Sequence, residues 1–281
     1  MRPMFHTNRL SRGFTVVELM LTTSLSAVVV VVFVAMLFSA YQTSVRNNAI
    51  LDMTSSIQVA LSFIERDVRY SLSYETGIST PFTDSNAPGG GWKHAGNPAG
   101  ATNRTLILKS YATANNPFSP SRQSVFVNGG LTNPYIPADA LLNCSTTPPA
   151  GSLYLNPQLP YVTIYFISNG KLMRRILTDS STTVCNGAVT YQKQSCPTGS
   201  GNGCFVKDEI IASNVVEFSI DYYQQLDTPT PSFALLDPYK AIDPDDLATA
   251  DNINATLTLR KTIGSENIDR SMSITVSRIN N

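Results

Sequence analysis

Uncharged positions run without a break from Leu19 to Val45, and the middle of that run, Ala27 to Phe38, is almost purely apolar. A helix needs roughly 20 apolar residues to cross a bilayer, so the run is long enough. Beyond Arg46 the pattern changes. Ile50, Met53, Ile57, Leu61, Ile64 and Val68 recur at steps of three and four, one stripe of an α-helix, while Asp52, Glu65, Arg66 and Arg69 fall off it. No Gly or Pro occurs between Phe14 and Thr76, so nothing interrupts the helix. The two patterns predict one helical segment over 14–76, of which about 14–40 is transmembrane. Taken from Phe14 to Leu72 it is roughly 88 Å long at 1.5 Å per residue. Its first half is apolar all round, and its second half has one apolar face with which to lie on a domain.

From Gly77 to Asn103 the chain turns to Gly and Pro, which reads as a long loop carrying the only tryptophan, Trp92. Core filling is the better reading for that residue than a surface contact point. Strand patterns follow at Thr105–Tyr111, Tyr161–Ser168, Lys171–Leu177, Val215–Tyr223, Asn254–Arg260 and Ser271–Ser277. Asn169-Gly170 between the second and third is a type I′ hairpin signal. Two irregular stretches, Asn115–Pro160 and Thr178–Lys207, lie between the strands. Hairpins imply an antiparallel sheet with one face on the amphipathic helix, an α+β architecture over 77–281.

The residues before the apolar run carry the sharpest signal. Arg2, Arg9 and Arg12 precede Gly13-Phe14-Thr15-Val16-Val17-Glu18, with no acid in the first thirteen positions. A carboxylate at the centre of a membrane helix costs about 2.5–3.5 kcal/mol on insertion scales, so an acid such as Glu18 at the start of the apolar helix calls for a partner and a task. A basic leader, Gly, Phe, and Glu as the fifth residue after the cut resembles the signal of type IV prepilins. The resemblance implies a leader at 1–13, cleavage after Gly13 by a membrane-embedded prepilin peptidase, and N-methylation of Phe14. It also implies that Glu18 acts in filament assembly by meeting the Phe14 amine of a neighbouring subunit. Tip subunits that lack this Glu have no subunit above them, so its presence places the chain just below the extreme tip. Two plainer readings fit less well. As a secretory signal the run exceeds a 7–15-residue apolar core, and as a simple anchor it leaves Glu18 and the Gly-Phe junction unexplained. The leader arginines orient the helix with its N-terminus in the cytoplasm and the rest outward, from the inner membrane into the periplasm.

Further phrases narrow the likeness. Phe63-Ile-Glu-Arg-Asp-Val-Arg69, Lys171-Leu-Met-Arg-Arg175, Ile211-Ala-Ser-Asn-Val-Val-Glu-Phe218 with Tyr222-Tyr223, and Ile274-Thr-Val-Ser-Arg-Ile-Asn280 are similar to the PilW group of minor pilins. The related J-type minor pseudopilins of type II secretion share several of them. The membrane run departs from major pilins in having no Pro. The implied function is a minor pilin, a structural subunit that initiates or tips a type IV pilus. Its implied partners are other minor and major pilins, the peptidase and the inner-membrane assembly machinery. A minor pseudopilin of a secretion or DNA-uptake machine, or a pilus-associated adhesin, are the alternatives.

Composition changes little in this picture. The chain has 281 residues with 20 basic and 20 acidic side chains, and loss of the leader arginines leaves 17 basic against 20 acidic. Neither a basic patch nor an acidic tail is evident, so no nucleic acid binding is indicated. Cys144, Cys185, Cys196 and Cys204 all fall in the exported part, where an even count reads as two disulfides; three connectivities are open. The Gly-rich segment Pro197–Gly203 makes a Cys196–Cys204 loop easy. Zinc spacings are lacking. The mature chain keeps one histidine, His94, and no G-x-S-x-G, H-E-x-x-H or P-loop. Ser168-Asn-Gly-Lys171 matches S-x-x-K only by letters, being a turn. Asp237, Asp243, Asp245, Asp246 and Asp251 fit no EF-hand spacing, and Asp243-Pro244 reads better as a helix cap. No enzyme, metal or cofactor is expected.

Overall fold

A computed structural model describes residues 15–89, 91–95, 103–127, 158–179, 184, 189–201, 203–226, 232–236, 247 and 250–279. It divides into two compact units, residues 1–51 and 52–281, and the helix α1, Val16–Arg69, contributes to both.

In the first unit every residue from Thr15 to Ser44 is exposed, so the valines and phenylalanines of the apolar run have no cover among the described residues. α1 is long and apolar enough to cross a membrane.

In the second unit the predicted stripe becomes core. Met53, Ile57, Leu61, Ile64 and Val68 are buried, three or four residues apart on one face, with Ala60 buried beside them. α1 ends at Arg69, short of the expected span to Thr76, because Ser73 and Tyr74 form a strand, β1, paired with Lys109 and Leu108.

The strands form two antiparallel sheets, where the sequence pattern implied one. The first takes β1, β2 (Leu106–Tyr111), β3 (Pro160–Ser168), β4 (Lys171–Thr178) and β7 (Glu209–Ser213), in the order β1-β2-β3-β4-β7. The second takes β8 (Val215–Leu226), β9 (Ser232–Leu236), β10 (Asn252–Ile263) and β11 (Glu266–Ser277), in the order β11-β10-β8-β9. β7 and β8 are consecutive in sequence yet belong to different sheets. Asn214 between them has φ 61°, a left-handed conformation that Asn tolerates, and there the chain passes from one sheet to the other. Within the stretch that read as irregular, β5 (Ser195–Cys196) and β6 (Val206–Lys207) make a short parallel pair.

The hairpin at Asn169-Gly170 forms as its dipeptide predicts. Both residues have positive φ and Ser168 pairs with Lys171, so the S-x-x-K letters are a turn. The loop after the helix packs inward. Trp92 is buried with Phe82, Ile107, Val162, Ile164 and Leu177, its ring 4.5 Å from that of Phe166.

Candidate functional site: the helix start and its charged anchors

Thr15 precedes the first residue of α1, and Glu18 is the third residue inside it. The Glu18 carboxylate Oε2 accepts from the backbone N and the hydroxyl of Thr15, both at 3.1 Å, and Thr15 Oγ1 accepts from Glu18 N at 3.3 Å. This is a capping box, in which the two side chains satisfy each other's backbone donors. Negative charge at the positive end of the helix dipole adds to it. Thr15-x-x-Glu18 was legible as such a box in the sequence, but the lone acid before an apolar run drew attention to charge instead. Glu18 therefore has a local structural duty besides any duty in assembly. Gly13 and Phe14, the expected cleavage and methylation positions, lie outside the described residues.

The phrases that carried the resemblance meet in space. Asp67 of the helix accepts from Arg174 Nε at 2.7 Å and from the Tyr165 hydroxyl at 2.7 Å, and Arg174 Nη1 reaches Glu209 at 3.3 Å. Burial alone would lower the pKa of Arg174, but the Asp67 carboxylate holds it above its ordinary value. Burial raises the Tyr165 hydroxyl well above 10, and the charge of Asp67 adds to that. These contacts tie the end of α1 to β3, β4 and β7.

Arg175 faces the other side of β4 and is 2% exposed. Its Nε and Nη2 make a fork on Asp208, with the shortest contact at 2.5 Å, and its Nη1 donates to Asp84 at 2.8 Å. Ser195 donates to Asp208 at 3.0 Å, and Trp92 Nε1 donates to Asp84 at 2.7 Å. The guanidinium also lies 5.3 Å from the Trp92 ring centre. One cation thus joins the loop after the helix, the sheet and the segment following the cysteines. A buried ion needs such multiple partners, since desolvation is otherwise too costly. Neither aspartate stood out in the sequence, because each lies far from Arg175 along the chain.

At the C-terminus Arg278 donates to the carbonyls of Leu72 and Ala250 and lies over the Tyr74 ring, and Ile279 N donates to Arg69 O. The last phrase therefore fastens the end of the helix to the second sheet.

Cys196 and Cys204 are disulfide-bonded, with Cα atoms 6.0 Å apart. Cys144 and Cys185 lie outside the described residues, as do Asp237, Asp243, Asp245 and Asp246. His94 is buried and its Nδ1 lies 3.2 Å from Thr76 O. Among the described residues no group of three or more His, Cys, Asp or Glu could hold a metal ion. The chain matches no family model and no curated protein.

Proposed function

We propose that this chain is a minor pilin-like structural subunit, anchored by α1 in the inner membrane with its sheets in the periplasm, and drawn into a type IV pilus or a related filament near its tip. The observation that carries the reading is the first half of α1. It is a fully exposed apolar surface whose only acid, Glu18, sits in the first turn, directly after the Gly13-Phe14 junction. A filament core of packed apolar helices would cover that surface, as a membrane does beforehand. Cleavage at Gly13 would leave a cation on Phe14. Within an apolar filament core that cation needs a counter-charge, and Glu18 is placed to supply it to a neighbour's amine. The α+β fold of a long helix on antiparallel sheets supports the same reading. The ion pairs that bind α1 to the sheets supply a rigid head.

The test separates charge from capping. Glu18→Gln keeps a capping-box side chain and removes the charge, whereas Glu18→Ala removes both. The full chain, expressed in its own cells, should insert in the membrane in both forms and fail to co-purify with filament partners in both. Normal co-purification of Glu18→Gln would show that Glu18 only caps the helix. The partners recovered with the unaltered chain name the machine, a pilus or a secretion or DNA-uptake apparatus.

A further inference from the structure

Composition hides a positive, aromatic trough that folding assembles from four separate segments. Two neighbouring clefts of about 550 and 500 Å³ share the lining residues Tyr161, Gln192, Lys193 and Val206. Along them run Tyr191-Gln192-Lys193 and Phe205-Val206-Lys207, two strips with the same aromatic-x-lysine order. Tyr191 is 54% exposed and Phe205 68% exposed, a large apolar area with no cover among the described residues. Both strips are held rigidly. Tyr191 N donates to Thr113 O at 2.7 Å, Phe205 N donates to Gln194 O at 2.9 Å, and the Cys196–Cys204 disulfide closes the loop between them.

Opposite them the guanidinium of Arg66 lies 4.1 Å from the Phe118 ring centre and 4.7 Å from that of Phe63. Its Nε is buried without a hydrogen-bond partner and forms a long ion pair with Asp67 Oδ1 at 4.0 Å. Beyond Phe118 the series continues through Tyr70, at 5.5 Å, to Arg122, whose guanidinium is 5.4 Å from the Tyr70 ring centre. The acid in the larger cleft, Glu209, is paired with Arg174, and the acid in the smaller cleft, Asp179, is buried with partners of its own. Lys193 and Lys207 make no ion pair among the described residues.

Several neutral polar groups of the trough are engaged internally. Gln192 both accepts from Thr113 N and donates to Thr113 Oγ1, Ser195 is bonded to Asp208 and Ile176 N, and Asn116 Oδ1 accepts from Phe118 N. The rim offers a ligand the charges of Lys193 and Lys207 and the exposed ring faces of Tyr191 and Phe205. A chain of phosphates carrying planar bases uses both features, because cations track the backbone and ring faces stack on bases without regard to sequence. We propose that this trough binds single-stranded nucleic acid, independently of whether the chain assembles into a filament.

The test uses the full chain in detergent and a fluorescein-labelled 15-mer of thymidylate, read by anisotropy. With Arg66, Lys193 and Lys207 on phosphates, log affinity should fall with log salt at a slope of about −2. Lys193→Glu with Lys207→Glu should weaken binding by roughly tenfold or more, since each replaces a favourable charge by a repulsive one. Tyr191→Ala with Phe205→Ala should weaken binding of thymidylate by roughly thirtyfold or more, and leave an abasic 15-mer unaffected. All four side chains are exposed, so the melting temperature should not move, and an unchanged melt certifies that the variants fold. Three results would overturn the proposal. They are absence of binding at low salt, equal affinity for the thymidylate and abasic strands, and equal affinity for a polyglutamate of the same charge. The last would identify the trough as a site for acidic peptide.

Discussion

Replacing Arg175 with methionine keeps much of the side chain's volume and removes its charge. The carboxylates of Asp84 and Asp208 then stay buried, Asp84 keeping the Trp92 Nε1 and Asn86 N donors and Asp208 keeping Ser195 Oγ. Breaking a buried pair by removing one partner typically costs 3–5 kcal/mol. Two stranded acids push the cost up and the retained donors pull it down, so about 4 kcal/mol is expected. For a unit of this size 1 kcal/mol moves the melting temperature by about 2–4 °C, which gives a fall of roughly 8–16 °C. Trp92 is the only tryptophan and lies beside Arg175, so its fluorescence during thermal unfolding of the full chain in detergent is a direct local probe. A second variant isolates the cause. Asp84→Asn with Arg175→Met and Asp208→Asn removes every charge from the chamber and should recover at least half of the loss, because uncompensated charge rather than lost volume is the source. A fall under 2 °C for Arg175→Met, or a triple variant no better than the single one, would refute the reasoning.

Other outcomes follow from the same structure. Cys204→Ser opens a short loop and should cost about 2.5 kcal/mol by chain entropy, measured as a lower urea midpoint; non-reducing peptide mapping should find Cys196 joined to Cys204. Burial, helped by the charge of Asp67, pushes the Tyr161 hydroxyl up to about 12. A raised folded-state value stabilises below the unfolded value of about 10, and this contribution is lost as pH rises toward 12. Urea midpoints should therefore drop steeply between pH 10 and 12, and phenolate absorbance in the folded chain should lag that of the denatured chain. Arg174→Met leaves Asp67 with the Tyr165 donor and the Arg66 guanidinium at 4.0 Å, so it should cost less than Arg175→Met, roughly 2–3 kcal/mol.

The helix and the main strands could be read from the chain because their signals are local. The stripe from Met53 to Val68, the Asn169-Gly170 turn and the alternation in Val215–Tyr223 each depend on residues a few positions apart. What escaped depends on partners far apart. β1 exists because Ser73 and Tyr74 find Lys109 and Leu108, and no periodicity in two residues announces that. The single sheet became two at Asn214, one residue in a left-handed conformation within an otherwise unbroken β pattern. The charged phrases Phe63–Arg69 and Lys171–Arg175 were visible, but not that Asp67 and Arg174 grip each other or that Arg175 takes Asp84 and Asp208. The trough was illegible for the same reason. Tyr191, Phe205, Arg66 and Phe118 lie in separate segments, and a nearly neutral composition conceals a local excess of cations.

The proposed role depends on the Gly13-Phe14 bond and what becomes of it. Intact-mass analysis with N-terminal sequencing of the chain recovered from its own membranes tests this directly. The expected product has 268 residues beginning at an N-methylated Phe14, with the apolar helix retained whole. A chain that keeps residues 1–13, or one that begins near Tyr41 with the apolar run removed, would contradict that role.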